Sequence, residues 1–321
     1  MWRGHQVRAV SVCAASLVIL VTSSRTVSAQ ATVAAAGEGT VTLTYQNYYV
    51  TGHFDPFGRK NKNGATHTKA LLAELDYALT DRIAINVSLP FIASKYTGGS
   101  SYVVSGRETF PGPLDDYTYH AAFQDVRVEV RRTFEAGRVT ITPFVGASLP
   151  THAYQTIGEA VPGRRRRELQ FGASGATSLQ PMVPGVYVHG RYAYAAAQRI
   201  SGFPATRSML DVEVERAAGS RVSLRGLASW QFRHSGPKPP ELQDIWVEHD
   251  RFIVSSFFNL GGGLSISLSR STELYGLWIA TVSGKDGAHV SRTLAIGISR
   301  GFGGGLGGLA AAAKAATDRR P

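Results

Sequence analysis

The strongest constraint in this sequence is a period of two: from Gly39 onward, apolar and polar residues alternate along most of the chain. Val41, Leu43 and Tyr45, for example, are separated by threonine residues. A period of two places alternate side chains on opposite faces of a β-strand. The alternation predicts about twelve strands, near residues 41–49, 71–79, 83–89, 125–131, 139–149, 176–183, 186–197, 207–216, 221–233, 251–260, 264–281 and 290–302.

Short and long connections alternate between these strands. Glycine, proline or charged residues interrupt the pattern and predict short turns at 80–82, 135–138, 184–185, 217–220 and 261–263. The remaining connections, most of them long and polar, fall near 51–67, 95–117, 150–168, 198–206, 234–250 and 283–289. This arrangement is typical of an up-and-down antiparallel meander, with both termini at the end that carries the short turns.

Each tight turn should bring apolar residues opposite apolar ones, because a slip of one residue turns every side chain to the other face. The first hairpin then pairs Leu79 with Ile83 and places Asp76 opposite Asn86. In two further hairpins the predicted partners are Phe134 with Val139, Arg131 with Thr142, Val214 with Val222, Glu215 with Arg221, and Asp211 with Arg225.

One face of the predicted strands is apolar and the other is rich in charge. A secreted sandwich would pack the apolar face on a second sheet, whereas a transmembrane barrel would present it to lipid. The strands are about 9–14 residues long, against about 5–6 in soluble sheets, and aromatic residues cluster near their ends. These features favour an all-β fold: a single transmembrane up-and-down antiparallel β-barrel over residues 30–302, with short periplasmic turns and longer extracellular loops. The Gly- and Ala-rich residues 303–321 are predicted to be a flexible tail.

The N-terminal residues 1–29 have the pattern of a cleaved secretory signal peptide. Arg3 and Arg8 form a positively charged start before an apolar stretch over 9–22, and Val27-Ser28-Ala29 offers small residues for cleavage. The alternative is an uncleaved N-terminal anchor helix. Cys13 is the only cysteine and lies inside this segment, so the exported chain would carry no disulfide. The predicted location is the outer membrane of a Gram-negative-type bacterium.

Three stretches form longer motifs: YALTDRIAINVSLPF at 77–91, FQDVRVEVR at 123–131 and PFVGASLPT at 143–151. Together with the glycine-rich 172–175 and the final GISRGF at 297–302, they resemble the outer-membrane proteins named for the phenol meta-degradation pathway. The resemblance extends over roughly residues 70–302. It implies an outer-membrane transporter, with small aromatic or other organic compounds as its cargo.

The charged face predicted to line the interior holds seven acids and, with Arg233, six arginines. This near balance predicts ion-pair ladders across the lumen rather than strong anion or cation selectivity. Twelve strands give a backbone radius of roughly 12 Å, which admits small molecules but no folded protein. The alternative is that the charged pairs only brace a packed interior. The candidate lumen-lining residues are Glu74, Asp76, Asp125, Arg127, Glu129, Arg131, Arg191, Asp211, Glu213, Glu215, Arg221 and Arg225.

Four consecutive arginines precede a strand in a predicted outer loop. Guanidinium groups match phosphate oxygens bidentately, so these residues are candidates for contact with lipid phosphates; a solvated loop is the alternative. The expected partners are outer-membrane lipids, a small-molecule solute and the barrel-assembly machinery, the last through the final strand ending at Phe302. No nucleic-acid partner is expected, because the basic run is isolated in an exported chain. The four arginines are Arg164, Arg165, Arg166 and Arg167.

No catalytic or metal-binding pattern is predicted. His234 and Ser235 are neighbours on an irregular loop, an arrangement that rarely forms a nucleophile–base pair. The other histidines lack the spacing of metal ligands. The predicted function is therefore passive passage of small organic solutes, with no cofactor, no metal and no catalysis. A barrel enzyme that acts on lipids and a structural or adhesive surface barrel remain as alternatives.

Overall fold

The computed structural model describes residues 32–62, 64–99, 102–104, 108–110, 112–236, 251 and 254–303. The predicted signal peptide, and the predicted tail beyond residue 303, lie outside these residues. No helix in the described part of the chain is long and apolar enough to cross a membrane. The strands are β1 (Gly39–Phe54), β2 (Lys60–Asn61), β3 (Ala65–Thr80), β4 (Ile83–Thr97), β5 (Tyr102–Val104), β6 (Glu108–Phe110), β7 (His120–Phe123), β8 (Val126–Arg132), β9 (Phe134–Ala136), β10 (Val139–Leu149), β11 (Glu168–Ser178), β12 (Val186–Ile200), β13 (Phe203–Ala217), β14 (Val222–Arg233), β15 (Ser256–Ser267), β16 (Thr272–Lys285) and β17 (Gly287–Phe302).

The sheet closes on itself as an antiparallel barrel with twelve strand positions. One position is shared by three short strands: β7 pairs with β4, β8 pairs with both β4 and β10, and β9 pairs with β10. The ring is closed by the pairing of β10 with β11 and of β17 with β1. Closure satisfies the backbone groups that an open sheet would expose in hydrocarbon. The predicted up-and-down barrel of about twelve strands is confirmed.

The apolar face of each strand points outward and the polar face points inward. On β1, Val41 and Leu43 are 49% and 43% exposed, whereas Thr42 and Thr44 are buried. A sandwich would seal such apolar side chains beneath a second sheet. The outer apolar surface is therefore the surface that a membrane barrel presents to lipid.

The predicted hairpin registers are correct in face but only partly correct in detail. Asp76 lies opposite Asn86 as predicted, but an irregularity between Ala78 and Thr80 pairs Ile83 with Thr80 instead of Leu79. In the second hairpin Arg131 lies opposite Phe144 rather than Thr142, a shift of two residues. Gly137, with φ of 64°, allows the chain to turn within two residues there. An even shift keeps every side chain on its predicted face.

In the third hairpin Glu215 pairs with Arg225 rather than with Arg221, and Asp211 pairs with Ser229. The register is shifted by four residues, because the turn is centred two residues later than predicted. Both strands again keep the predicted inward and outward faces.

The glycines at 261–263 were predicted to form a turn, and this prediction is wrong. They lie within β15, and the turn to β16 spans 268–271. Gly261 and Gly263 face inward, where the backbone of β16 comes too close to leave room for a Cβ atom. These glycines therefore mark a close approach of two strands, a role that the sequence pattern does not distinguish from a turn.

Two of the connections predicted to be longer are tight. β12 joins β13 through Ser201-Gly202, and β16 joins β17 through Asp286 alone. Ser201 and Asp286 have φ of 50° and 51°, the left-handed conformation that such short links require. On this side of the barrel the long connections are 55–64, 98–119, 150–167 and 234–255.

Candidate functional site

Paired arginines and carboxylates line the inner wall of the barrel. The Arg131 guanidinium donates to both carboxylate oxygens of Asp76, at 2.6 and 2.8 Å. Arg191 donates to Glu129 at 2.6 Å, and its guanidinium carbon lies 3.6 Å from the centre of the Phe144 ring. Two hydrogen bonds in a fork geometry fix the direction of both side chains.

A second cluster lies where β11 begins. Glu168 accepts hydrogen bonds from Arg207 at 2.5 and 2.7 Å and from Gln170 at 2.7 Å. Arg166 reaches the same carboxylate from the preceding loop at 3.4 Å. Glu168 therefore joins the barrel wall to the end of that loop.

A third cluster is acidic. Arg225 lies 3.4 Å from Glu213 and 2.6 Å from Glu273, and Glu215 faces Arg225 across the strand pair. The side chains of Arg225 and Glu213 are only 1% and 3% exposed. One guanidinium thus serves several carboxylates that are shielded from bulk water.

These ion pairs run along the wall, not across the lumen as predicted. Asp76 and Arg131 lie on β3 and β8, on either side of β4. Glu168 and Arg207 lie on either side of β12, and Arg225 and Glu273 on either side of β15. On the strand between the two partners of each pair, a small residue lies opposite the arginine and leaves room for the guanidinium. These residues are Ala84 opposite Arg131, Ala195 opposite Arg207, and Gly263 opposite Arg225.

The structure brings most of the predicted lumen-lining residues to the inner wall. Glu74 and Asp76 are buried on the inner face of β3. Asp125 accepts a hydrogen bond from Tyr154, and Arg127 shares the inner face of its strand with Glu129. Asp211 accepts a hydrogen bond from Ser229 at 2.6 Å rather than facing Arg225.

Arg221 is the exception among the predicted lumen residues. It lies in the exposed turn between β13 and β14, at the rim rather than on the wall, because that hairpin turns later than predicted. Sequence reasoning missed Glu168, Arg207 and Glu273. Their inward direction follows from the period of two once the strand bounds are known, but Glu168 had been placed at the end of a loop and Glu273 in a mispositioned strand.

The connection between β10 and β11, residues 150–167, folds into the mouth of the barrel; we call it the inner loop. The Glu159 carboxylate lies 4.0 Å from His53, and the Glu159 carbonyl accepts a hydrogen bond from the Thr66 hydroxyl at 3.4 Å. Thr66 is on the inner face of β3, four strand positions from β11. On the other side, Arg251 donates to the carbonyl oxygens of Arg164 and Arg165. The inner loop therefore spans the lumen.

Two side chains anchor the inner loop. Asp115 accepts hydrogen bonds from the backbone N–H groups of Glu159 and Ala160, at 2.7 and 3.2 Å. The Tyr154 hydroxyl donates to Asp125 at 2.5 Å and accepts from the Arg165 N–H at 2.7 Å. Burial raises the pKa of the Asp115 carboxyl, and the backbone donors oppose this rise. Burial and the nearby Asp125 carboxylate raise the pKa of Tyr154, which keeps its hydroxyl a donor.

The structure corrects the predicted lipid-phosphate contact for part of the Arg164–Arg167 run. Arg164 and Arg166 are buried inside the mouth, and Arg165 donates to the Tyr154 carbonyl. Burial and the neighbouring Arg207 lower the pKa of Arg166 to about 10, so it remains charged beside Glu168 at neutral pH. Arg167 is exposed on the outer face, and for this residue the contact stays a prediction.

We expect Tyr154→Phe to speed tryptic cleavage within the Arg164–Arg167 run by about tenfold or more. The variant loses two hydrogen bonds, each worth about 1 kcal/mol, that hold the loop closed. Tyr117→Phe is the control, because Tyr117 is 62% exposed and donates only to the Gly98 carbonyl. Cleavage of the Tyr154 variant at the wild-type rate would show that this hydroxyl does not hold the loop.

A serine–histidine contact on the outer wall bears on the enzyme alternative. The Ser208 hydroxyl lies 2.6 Å from His234 Nε2 and 2.8 Å from the Tyr192 hydroxyl, whereas Ser235 bonds to Thr206. Ser208 is only 4% exposed. Within the described residues no carboxylate or amide orients the other imidazole nitrogen, and the contact joins β13 to the connection after β14.

The barrel is similar to solved structures of outer-membrane proteins. An outer membrane channel from Pseudomonas putida F1 matches with a TM-score of 0.65 at 12% identity, over 85% of this chain and 98% of the other. The β domain of the Bordetella autotransporter BrkA matches with a TM-score of 0.46 at 13% identity, over 83% and 100%. The CymD monoaromatic hydrocarbon channel matches with a TM-score of 0.44 at 8% identity, over 84% and 90%. The first of these similarities establishes the barrel fold.

No protein-family model matches the chain, and no curated protein matches it. The class of protein is therefore defined by the fold itself: a closed antiparallel β-barrel with an apolar outer face and a charged interior.

Proposed function

We propose that this chain forms an outer-membrane pore through which small organic solutes pass without energy input. The main support for this proposal is the exposure of the Arg191–Glu129 pair. Both side chains face the barrel interior, yet they remain 18% and 16% accessible to solvent. An inward side chain in the middle of the wall can gain such exposure only from space inside the barrel. Open space beside this pair supports an aqueous path.

The dimensions limit the cargo. A twelve-strand barrel has a backbone radius of roughly 12 Å, and inward side chains occupy much of it. The inner loop narrows the mouth further, so that only small solutes would pass. Because most wall arginines are matched by carboxylates, we expect weak charge selectivity. The resemblance of the sequence motifs to the phenol meta-degradation type supports aromatic or similar compounds as cargo.

The location is part of the same proposal. The exposed apolar outer face requires a hydrocarbon surrounding, and the fold is shared with a protein described as an outer membrane channel. We propose that the N-terminal segment directs export and that the final strand, which ends at Phe302, is recognised by the barrel-assembly machinery. The Phe302 ring stacks on Tyr77 and is 44% exposed on the outer face.

Liposome swelling tests the transport claim. Purified protein is reconstituted and challenged with phenols, aromatic acids and sugars of increasing size. Swelling rates above the protein-free level are expected for the smallest phenols and acids, and they should fall as solute size increases. Heat-unfolded protein is the control. Rates equal to those of protein-free liposomes for every solute would remove the proposal.

A further inference from the structure

A row of basic and aromatic side chains crosses the outer wall at its loop end. Arg292, Tyr49, His67 and Lys95 are consecutive partners in the ladders of β17, β1, β3 and β4. Lys69 lies two residues farther along β3, on the same face as His67. Four adjacent strands thus present three cations within a strip about 15 Å wide.

The row lies at the border of the apolar surface. Four residues farther along each strand, about 13 Å away, the corresponding outward positions are all apolar or aromatic: Ile296, Tyr45, Leu71 and Phe91. The side beyond the row carries the long connections. The cations therefore occupy the level at which lipid headgroups meet the acyl chains.

The ring of Tyr119 contacts the ammonium groups of both lysines. Its ring centre lies 4.8 Å from the Lys69 ammonium and 5.2 Å from that of Lys95. Its hydroxyl bonds to His67 Nδ1 at 2.6 Å, and His67 Nε2 bonds to Asn47 Oδ1 at 2.9 Å. Because the amide oxygen only accepts, Nε2 carries the proton and Nδ1 accepts from the tyrosine. The aromatic frame is thus fixed by hydrogen bonds.

The three cations differ from the arginines of the lumen in their partners. Arg131, Arg191, Arg207 and Arg225 each form an ion pair. No carboxylate pairs with the row's lysines or its arginine among the residues that the structure describes. In the same loop as Tyr119, Asp116 bonds to Thr118 and His120, and Asp115 accepts from backbone N–H groups of the inner loop. In the described part of the chain, these three like charges lie close together with no carboxylate partner.

We propose that this row binds the phosphate of a phosphorylated lipid in the surrounding outer leaflet. Arg292 offers a planar pair of donors and the lysines offer compact charges, the combination that suits phosphate oxygens. The acyl chains of the same lipid would lie on Leu71 and Phe91. This inference requires the barrel to span the membrane but does not depend on any solute passing through it.

The test compares two triple variants of the full barrel in detergent. Lys69→Gln/Lys95→Gln/Arg292→Gln removes the row, and Arg82→Gln/Arg132→Gln/Arg300→Gln removes three exposed cations at the opposite rim. Binding of bisphosphorylated lipid A, dephosphorylated lipid A and inorganic phosphate is measured by native mass spectrometry or calorimetry. Heat-modifiable migration confirms that each variant is folded.

The row variant should lose about 100-fold in affinity for bisphosphorylated lipid A, since each cation near an anionic lipid is worth roughly fivefold. The affinity of the rim variant for bisphosphorylated lipid A should stay near that of the wild type. For dephosphorylated lipid A and for inorganic phosphate, the row variant and the wild type should bind with similar affinity. Equal affinity of the wild type and a folded row variant would overturn the proposal. So would inorganic phosphate binding as tightly as the lipid. Loss of lipid binding with normal liposome swelling would leave the transport proposal intact.

Discussion

Replacing residues 151–165 of the inner loop with a Gly-Ser-Gly link is expected to raise the single-channel conductance about twofold or more, because the open cross-section of a pore limits its ion flow. Ser148 pairs with Glu168, so the ends of β10 and β11 are adjacent and a short link can join them. Planar-bilayer recordings measure the effect. A folded variant with wild-type conductance would show that the inner loop does not obstruct the lumen.

A pair of neighbouring carboxylates supplies the matched control. Asp115→Ala removes the acceptor for the N–H groups of Glu159 and Ala160 and should produce frequent openings to the higher conductance. Asp116→Ala removes an adjacent acid that contacts Thr118 and His120 and, among the described residues, makes no hydrogen bond with the inner loop, and recordings should be unchanged. Identical traces from both variants would show that Asp115 does not restrain the inner loop.

Arg225→Met should lower the free energy of unfolding by about 3 kcal/mol or more. The variant leaves Glu213 and Glu273 buried without their cation, and breaking a buried ion pair from one side typically costs 3–5 kcal/mol. Unfolding in denaturant, followed by tryptophan fluorescence, measures the change. The acidic cluster around Arg225 also loses its positive charge, so the reversal potential of the channel should shift toward cation preference.

Two further variants separate the ion-pair effect from the loss of an arginine. Arg216→Met removes an exposed arginine on the preceding strand and should cost less than about 0.5 kcal/mol. Adding Glu213→Gln and Glu273→Gln to Arg225→Met should recover much of the lost stability, because neutral amides carry a smaller burial penalty than carboxylates. Equal losses for Arg225→Met and Arg216→Met would contradict a stabilising role of the cluster.

The faces of the strands were predictable because they depend only on neighbouring residues. Val41 and Thr42 must point to opposite sides of any strand that contains them. For this reason the lumen-facing direction of Glu74, Asp76 and Arg131 followed from the alternation alone. Even the hairpins with a wrong register kept their faces, since their shifts were of two and four residues.

Turn positions were less predictable, because glycine serves two purposes in this barrel. Gly137 makes a tight turn through a positive φ. Gly263 lies inside a strand, where it leaves room for β16 and stands opposite Arg225. The residue type is glycine in both cases, and only the position of the neighbouring strand distinguishes the turn glycine from the strand glycine.

The sequence by itself determined the all-β class, the number of strands and the chemistry of each face, because these rest on a local period of two. Only the tertiary structure decided which charges meet and where the inner loop lies. Arg131 and Asp76 are 55 residues apart, and Arg191 and Glu129 are 62 apart. Such contacts are set by closure of the ring and by the small residues beneath each bridge, which no local pattern records.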